Sequence, residues 1–94
     1  SEQNKELAKR IVEKVGKLYV LPKDVEPTVA TIVNVEALRA RNVFYNVAEN
    51  GDFLLVTPTR AILYDPDKDL IIDVVPVQLE PQTAAAASQA PAAQ

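Results

Sequence analysis

The sequence predicts an α+β fold, in which an N-terminal helix packs on a small, mainly antiparallel sheet of about five strands with a short inserted helix. Three observations carry this prediction. Apolar residues recur at helical spacing in residues 2–15, short β-rich runs alternate with Pro, Asp and Gly turns in residues 51–77, and a helix-capping signal stands at Asn34. At 94 residues, the chain has the length of one domain.

The N-terminal segment, residues 2–15, predicts an amphipathic helix that ends at Gly16, a residue typical of the position after a helix. The apolar stripe consists of Leu7, Ala8, Ile11, Val12 and Val15. A coiled-coil stalk is the alternative, but only about two heptads are available and the stripe is wider than a coiled-coil seam. We therefore expect the helix to dock on the sheet.

Two strands are predicted next. Residues 17–21 alternate in the manner of a strand, which Pro22 ends, and residues 28–33, TVATIV, are rich in β-branched side chains. Asn34 is then a good N-cap for a short helix over residues 35–41, which turns Ala37 and Leu38 toward the core.

Residues 43–48 fit either a strand or a further helical turn. The helical interpretation is favoured because Asn50 and Gly51 follow as a stop signal, and it places Phe44 and Val47 on one face.

The clearest pattern is a three-stranded antiparallel meander over residues 51–77. Its predicted strands are residues 53–57, 61–64 and 70–75, and its predicted turns are residues 57–60 and 65–69. The domain is expected to span residues 1–80. Residues 81–94 contain Ala, Gln and Pro but no large apolar side chain, so this composition predicts a disordered tail.

Composition excludes several kinds of site. The chain has no Cys and no His, so it has neither disulfides nor the commonest general base and zinc ligand. Residues 1–20 contain five basic and three acidic residues, whereas residues 21–94 contain five basic and ten acidic residues. An acidic body argues against nucleic acid as a partner. No run of residues is apolar enough for a membrane span.

Residues 65–69, DPDKD, have the spacing that opens a calcium loop, but Leu70 replaces the required Gly and Pro76 replaces the closing Glu. We interpret the segment as a hairpin turn in which Asp65 caps and Pro66 takes the second position. Asp73 alternates with apolar neighbours and is expected on a solvated face, since burial would require a cation such as Arg60 beside it.

No other residues form a recognisable catalytic or cofactor-binding group. The two glycines form no phosphate loop, and Ser and Thr have no base beside them. Three arginines could make a small basic patch, although rim charges are the simpler interpretation. The aromatic side chains are interpreted as core rather than as a stacking platform. The arginines are Arg39, Arg41 and Arg60, and the aromatic residues are Tyr19, Phe44, Tyr45, Phe53 and Tyr64. The sequence thus predicts no catalytic residue, no cofactor and no metal.

Five segments together resemble a known family pattern: GKLYVLP (16–22), PTVATI (27–32), NGDFLLV (50–56), AILYDP (61–66) and IIDVVPV (71–77). Their spacing, over residues 7–78, resembles an uncharacterised family of small proteins from uncultivated candidate-phyla bacteria. That resemblance implies a membrane anchor upstream of Ser1, a short helix and one compact extracytoplasmic domain. It implies no catalytic or ligand residue.

The expected function is therefore that of a non-catalytic, membrane-tethered domain of the cell envelope that binds a protein or a cell-wall polymer. The alternative is a small carboxylate-dependent enzyme or a cytosolic accessory subunit. A groove that gathers two carboxylates would favour an enzyme, whereas a flat apolar patch or an open strand edge would favour binding.

Overall fold

Four antiparallel strands form a single sheet in the order β1-β2-β3-β4 within residues 2–77, which the computed structural model describes. The elements are α1 (Glu2–Leu18), β1 (Thr28–Thr31), α2 (Val35–Arg41), a 3₁₀ helix (Val43–Val47), β2 (Phe53–Val56), β3 (Arg60–Asp65) and β4 (Leu70–Pro76). The predicted α+β fold is confirmed. The tail predicted at residues 81–94 lies outside the described residues.

Helix α1 covers one face of the sheet, which we call the α1 face. Side chains alternate between the two faces along a strand, so the residues that point to α1 lie two apart in β2 and in β3. Ile11 and Val15 of α1 pack there against Phe53, Leu55, Ile62 and Tyr64. The predicted docking of the apolar stripe on the sheet is confirmed.

The opposite face, which we call the α2 face, carries α2 and the 3₁₀ helix. Its buried residues are Ile32, Val35, Ala48 and Leu63, with Leu38, Phe44, Tyr45, Leu54 and Ile72 packed against them in part. The two short helices therefore pack on this face, so the sheet has helices on both of its faces.

The strand expected at residues 17–21 does not form, and the sheet has four strands instead of about five. Helix α1 continues through Gly16 to Leu18, and the N–H of Tyr19 still donates to the carbonyl of Val15 at 2.9 Å. Gly16 does not adopt the positive φ that ends a helix. A helix makes its backbone hydrogen bonds locally, whereas a fifth strand would have to make them to residues distant in the sequence.

Strand β1 ends two residues earlier than predicted, although its pairing continues irregularly. The N–H of Ile32 donates to the carbonyl of Asp52 at 2.9 Å, and the N–H of Gly51 donates to the carbonyl of Ile32 at 2.8 Å. Gly51 has a φ of 96°, a backbone angle that would be strained in any residue with a side chain. This close turn joins the start of the meander to the end of β1.

Two asparagines cap α2. Asn34 accepts from the N–H of Ala37 at 3.3 Å, as its position predicts, and Asn50 accepts from the N–H of Val35 at 2.8 Å. Ala37 is exposed, contrary to expectation, and Val35 is the residue that α2 buries.

Residues 43–48 are helical in the main, as favoured, but they form a separate 3₁₀ helix. Asn42 starts it by accepting from the N–H of Phe44 at 2.9 Å. Phe44 packs edge-on against Tyr45 with ring centroids 5.2 Å apart. Val47 is 56% exposed, so the shared face expected for Phe44 and Val47 does not form.

Both predicted turns of the meander are present. The Thr57 hydroxyl accepts from the N–H of Arg60 at 2.9 Å, and the Asp65 carboxylate accepts from the N–H groups of Asp67 and Lys68 at 2.9 and 3.2 Å. The DPDKD segment is thus a hairpin turn capped by Asp65. Asp69, at a φ of 57°, ends that turn and accepts a hydrogen bond from the buried Tyr64 hydroxyl.

Candidate binding site

The edge formed by β4 is closed to further pairing by three features. A bulge shifts the register beyond Leu63, so that Asp73 lies opposite Leu63 and Ile71 opposite Tyr64. The N–H of Val74 donates to the Asp73 carboxylate at 2.9 Å, and Pro76 has no N–H. Bulges, prolines and charged side chains at an edge prevent other strands from adding to it.

The edge formed by β1 has none of these features. The N–H of Ile32 points toward β2, and hydrogen-bonding direction alternates along an antiparallel strand, so Val29 and Thr31 direct their N–H and carbonyl groups away from the sheet. The strand, TVAT, contains no charge and no proline. Of the two edges in the described chain, β1 is therefore the one that can accept another strand.

A groove of about 360 Å³ runs beside this edge on the α2 face, between β1 and α2. We call it the edge groove, and its apolar lining comprises Ala30, Ile32, Val33, Ala37, Leu38, Tyr45 and Leu54. Val33 is 78% exposed although its side chain is a β-branched hydrocarbon. An open backbone edge and an apolar recess thus lie side by side, which is the arrangement that recognises extended peptides.

Among the described residues that line the edge groove, Arg41 carries the only charge. The basic patch considered for the three arginines is not what the contacts show. Arg39 donates to the carbonyl of Ala48 at 2.6 Å and lies 3.6 Å from Glu49, and Arg60 donates to the carbonyl of Thr59 within its own turn. The side chains of Arg39 and Arg60 are thus engaged in contacts within the domain. Arg41 is therefore the arginine that can meet a ligand in the edge groove.

A second groove lies on the same face, beyond Tyr45. Val43, Phe44, Val56, Val75 and Val77 line it together with Asp73, and Tyr45 and Leu54 line both grooves. Asp73 is half-buried here instead of lying on a fully solvated face, and it contacts a backbone N–H instead of Arg60. Burial raises the pKa of the Tyr45 phenol, consistent with its position between the two recesses.

Carboxylates gather in a third groove, at the end of the sheet where the β3–β4 hairpin turns. Glu49, Asp52 and Asp65 line it together with Lys68. Asp52 is buried, and its carboxylate accepts from the N–H of Glu49 at 2.8 Å. Burial, followed by the charges of Asp65, Glu49 and Asp67, raises the pKa of Asp52, while the bond from the Glu49 N–H acts in the opposite direction.

Each of these carboxylates already has a structural partner. Asp52 and Asp65 accept backbone N–H groups of their own turns, and Glu49 faces Arg39. Within residues 2–77, no group of three or more His, Cys, Asp or Glu side chains is placed so that it could hold a metal ion. The described helices also include none with the length and apolar character needed to cross a bilayer.

The five aromatic side chains occupy the positions of core residues. Phe53 and Tyr64 are buried, and Tyr19, Phe44 and Tyr45 are half-buried, so the core interpretation of these residues agrees with their burial. The edge groove was not predicted. Its signal was present in residues 28–33, a β-rich run without charge or proline, but which strand lies at an edge depends on the order of the whole sheet.

Searches with this chain against family models, curated proteins and solved structures return no match. The edges and grooves of the sheet are therefore the features from which a function can be inferred.

Proposed function

We propose that this chain is a non-catalytic binding domain of the cell envelope, which takes an extended segment of a partner protein along β1. The observation that carries the proposal is the open edge of β1 beside the apolar edge groove. An added strand gains main-chain hydrogen bonds from the edge and specificity from pockets that receive alternate side chains.

The recognition chemistry follows from the lining. Val29 and Thr31 supply outward N–H and carbonyl groups to the bound segment. Apolar side chains that alternate toward the α2 face enter the edge groove. A protein is favoured over a wall polymer because a peptide backbone can match the alternating donors and acceptors of an open strand edge.

Site-specific photocrosslinking in the native cell tests this proposal. A photoreactive amino acid at Val33 reports on the edge groove, and the same residue at Val20, which is 89% exposed and does not line that groove, is the matched control. We expect discrete protein adducts from position 33 that are absent from position 20. Thr31→Pro removes an outward N–H and should abolish the adducts. Identical adduct patterns at both positions would contradict the proposal.

The cell-envelope location is supported by the family resemblance and is a separate part of the proposal. Residues 1–94 contain no Cys, so Val20→Cys introduces a single thiol into this domain, at a highly exposed position. In the full natural protein, a maleimide that cannot cross membranes should label this thiol in intact cells. Labelling only after lysis would place the domain in the cytosol, as expected for an accessory subunit.

A carboxylate-dependent enzyme is the second candidate, and the groove lined by Glu49, Asp52 and Asp65 is the observation that favours it. It is the weaker candidate because acid–base catalysis requires a group free to exchange a proton with a substrate. Here the buried carboxylate of Asp52 holds the turn at Glu49, and Asp65 holds the hairpin.

A further inference from the structure

We infer that the segment which adds to β1 is β1 of a second copy of this chain, so that two sheets join into one of eight strands. This inference rests on the proposed function, since it names the partner for the same open edge. It is carried by the contrast between a closed β4 edge and an open β1 edge in one four-stranded sheet.

The geometry of β1 permits a symmetric antiparallel pair centred on Ala30. In that register Val29 of each copy lies opposite Thr31 of the other, and these are the residues whose backbone groups point outward. The two pairs supply about four main-chain hydrogen bonds. Ala30 of one chain lies opposite Ala30 of the other in a non-hydrogen-bonded pair, where side chains approach most closely. The small methyl group of alanine suits that position.

The chemistry of the strand is compatible with pairing against itself. TVAT carries no charge, so the two-fold axis brings no like charges together. Pro27 has no N–H and therefore ends the ladder beyond Thr28. The contact is short, and it belongs with weak, transient interfaces rather than with permanent dimers.

The resulting assembly is closed. Its strand order runs from β4 of one copy, through the two β1 strands, to β4 of the other, so that both outer edges are the ones blocked by the bulge, Asp73 and Pro76. An unrelated partner strand would instead leave its own outer edge exposed. Self-pairing is isologous, and it removes the open edge from the described part of the chain without starting a filament.

Sedimentation equilibrium of the full chain tests the inference. From about 10 µM to about 1 mM, the mean mass should rise from the 10.3 kDa of one chain toward about twice that value. Ala30→Lys and Ala30→Glu each place like charges across the axis and should weaken association at least about tenfold. A mixture of these two variants should associate again, because position 30 of one copy faces position 30 of the other. Val20→Lys, at an exposed position outside the strand, should behave as wild type.

Several outcomes decide between the alternatives. A wild-type chain that stays monomeric at about 1 mM overturns self-pairing, and so does a charge-swapped mixture that fails to associate while circular dichroism shows both variants folded. If position 33 crosslinks to other proteins and the chain stays monomeric, the proposed function stands and only the self-pairing of β1 is contradicted. No adducts together with a monomeric chain defeat both.

Discussion

The two faces of the sheet differ in how completely their helices cover them. On the α1 face a helix of 17 residues places Ile11 and Val15 over Leu55, Ile62 and Tyr64, all of which are buried. On the α2 face a helix of seven residues and a 3₁₀ turn bury a smaller cluster and leave two grooves on either side of Tyr45. The α1 face therefore holds the main core, and the α2 face retains open, partly apolar surface.

Two adjacent leucines on β2 test the difference between the two faces most directly. Leu55 points to the α1 face and is fully buried, whereas Leu54 points to the α2 face and is half-buried between the grooves. Leu55→Ala should cost about 2–5 kcal/mol in the free energy of unfolding, because it leaves a cavity, and Leu54→Ala clearly less. Urea unfolding of both variants measures the difference. Equal losses would mean that the two faces are equally packed.

A tyrosine on the α1 face should make the protein less stable toward unfolding at high pH. Burial, then the hydrogen bond to Asp69 and the charges of Asp69 and Asp65, raises the pKa of Tyr64 to about 12, from an ordinary value of 10.0. The unfolded state loses this proton first, so the contribution is intact below pH 10 and is lost as the pH rises toward 12. Because Asp69 is exposed and solvent screens its charge, the loss over that interval should be no more than about 2 kcal/mol.

Urea midpoints measured from pH 9 to pH 12 check the tyrosine prediction. Tyr64→Phe should lack this part of the pH dependence, while Tyr19→Phe, whose ring is half-buried, should retain it. If Tyr64→Phe follows the wild-type curve, the hydroxyl of Tyr64 does not control the transition.

A smaller effect is expected at Asp52, beside the α2 face. Its raised pKa means that its ionised form is disfavoured in the folded state, so this contribution to stability is present at low pH and is lost as the pH rises through the folded pKa. Asp52→Ala leaves the Glu49 N–H without its acceptor and should cost about 1–3 kcal/mol.

Asp52→Asn keeps an oxygen for that N–H and removes the charge, so it should be neutral or slightly stabilising at pH 7. Thermal unfolding of the two variants compares them directly. A loss as large for Asn as for Ala would contradict this prediction and show that the ionised carboxylate itself holds the turn at Glu49.

The smallest effect tests the length of α1. Gly16 lies within the helix, and a methyl group there would meet the Leu21 side chain at 3.8 Å, an ordinary contact. Gly16→Ala should therefore stabilise the protein by about 0.5–1 kcal/mol. Gly51→Ala is the contrasting control, because a φ of 96° strains an alanine, and it should destabilise. Destabilisation by Gly16→Ala would support a helix that ends at Gly16.

Local chemistry determined much of this protein from the sequence alone. The amphipathic spacing in residues 2–15, the cap at Asn34 and the turn residues at Thr57 and Asp65 each act over a few positions, so they can be read without knowing the rest of the fold. The three meander strands follow from the same signals.

Competition between elements was decided only by the tertiary structure. Residues 17–21 alternate like a strand, yet the first of them continue α1, since helical hydrogen bonds are made locally and no strand of the described sheet pairs with them. Whether β1 lies at an edge, and whether Asp73 binds a backbone N–H, depends on which strands are neighbours. A sequence records the residues of a strand, but only the assembled sheet determines which backbone groups remain free to bind.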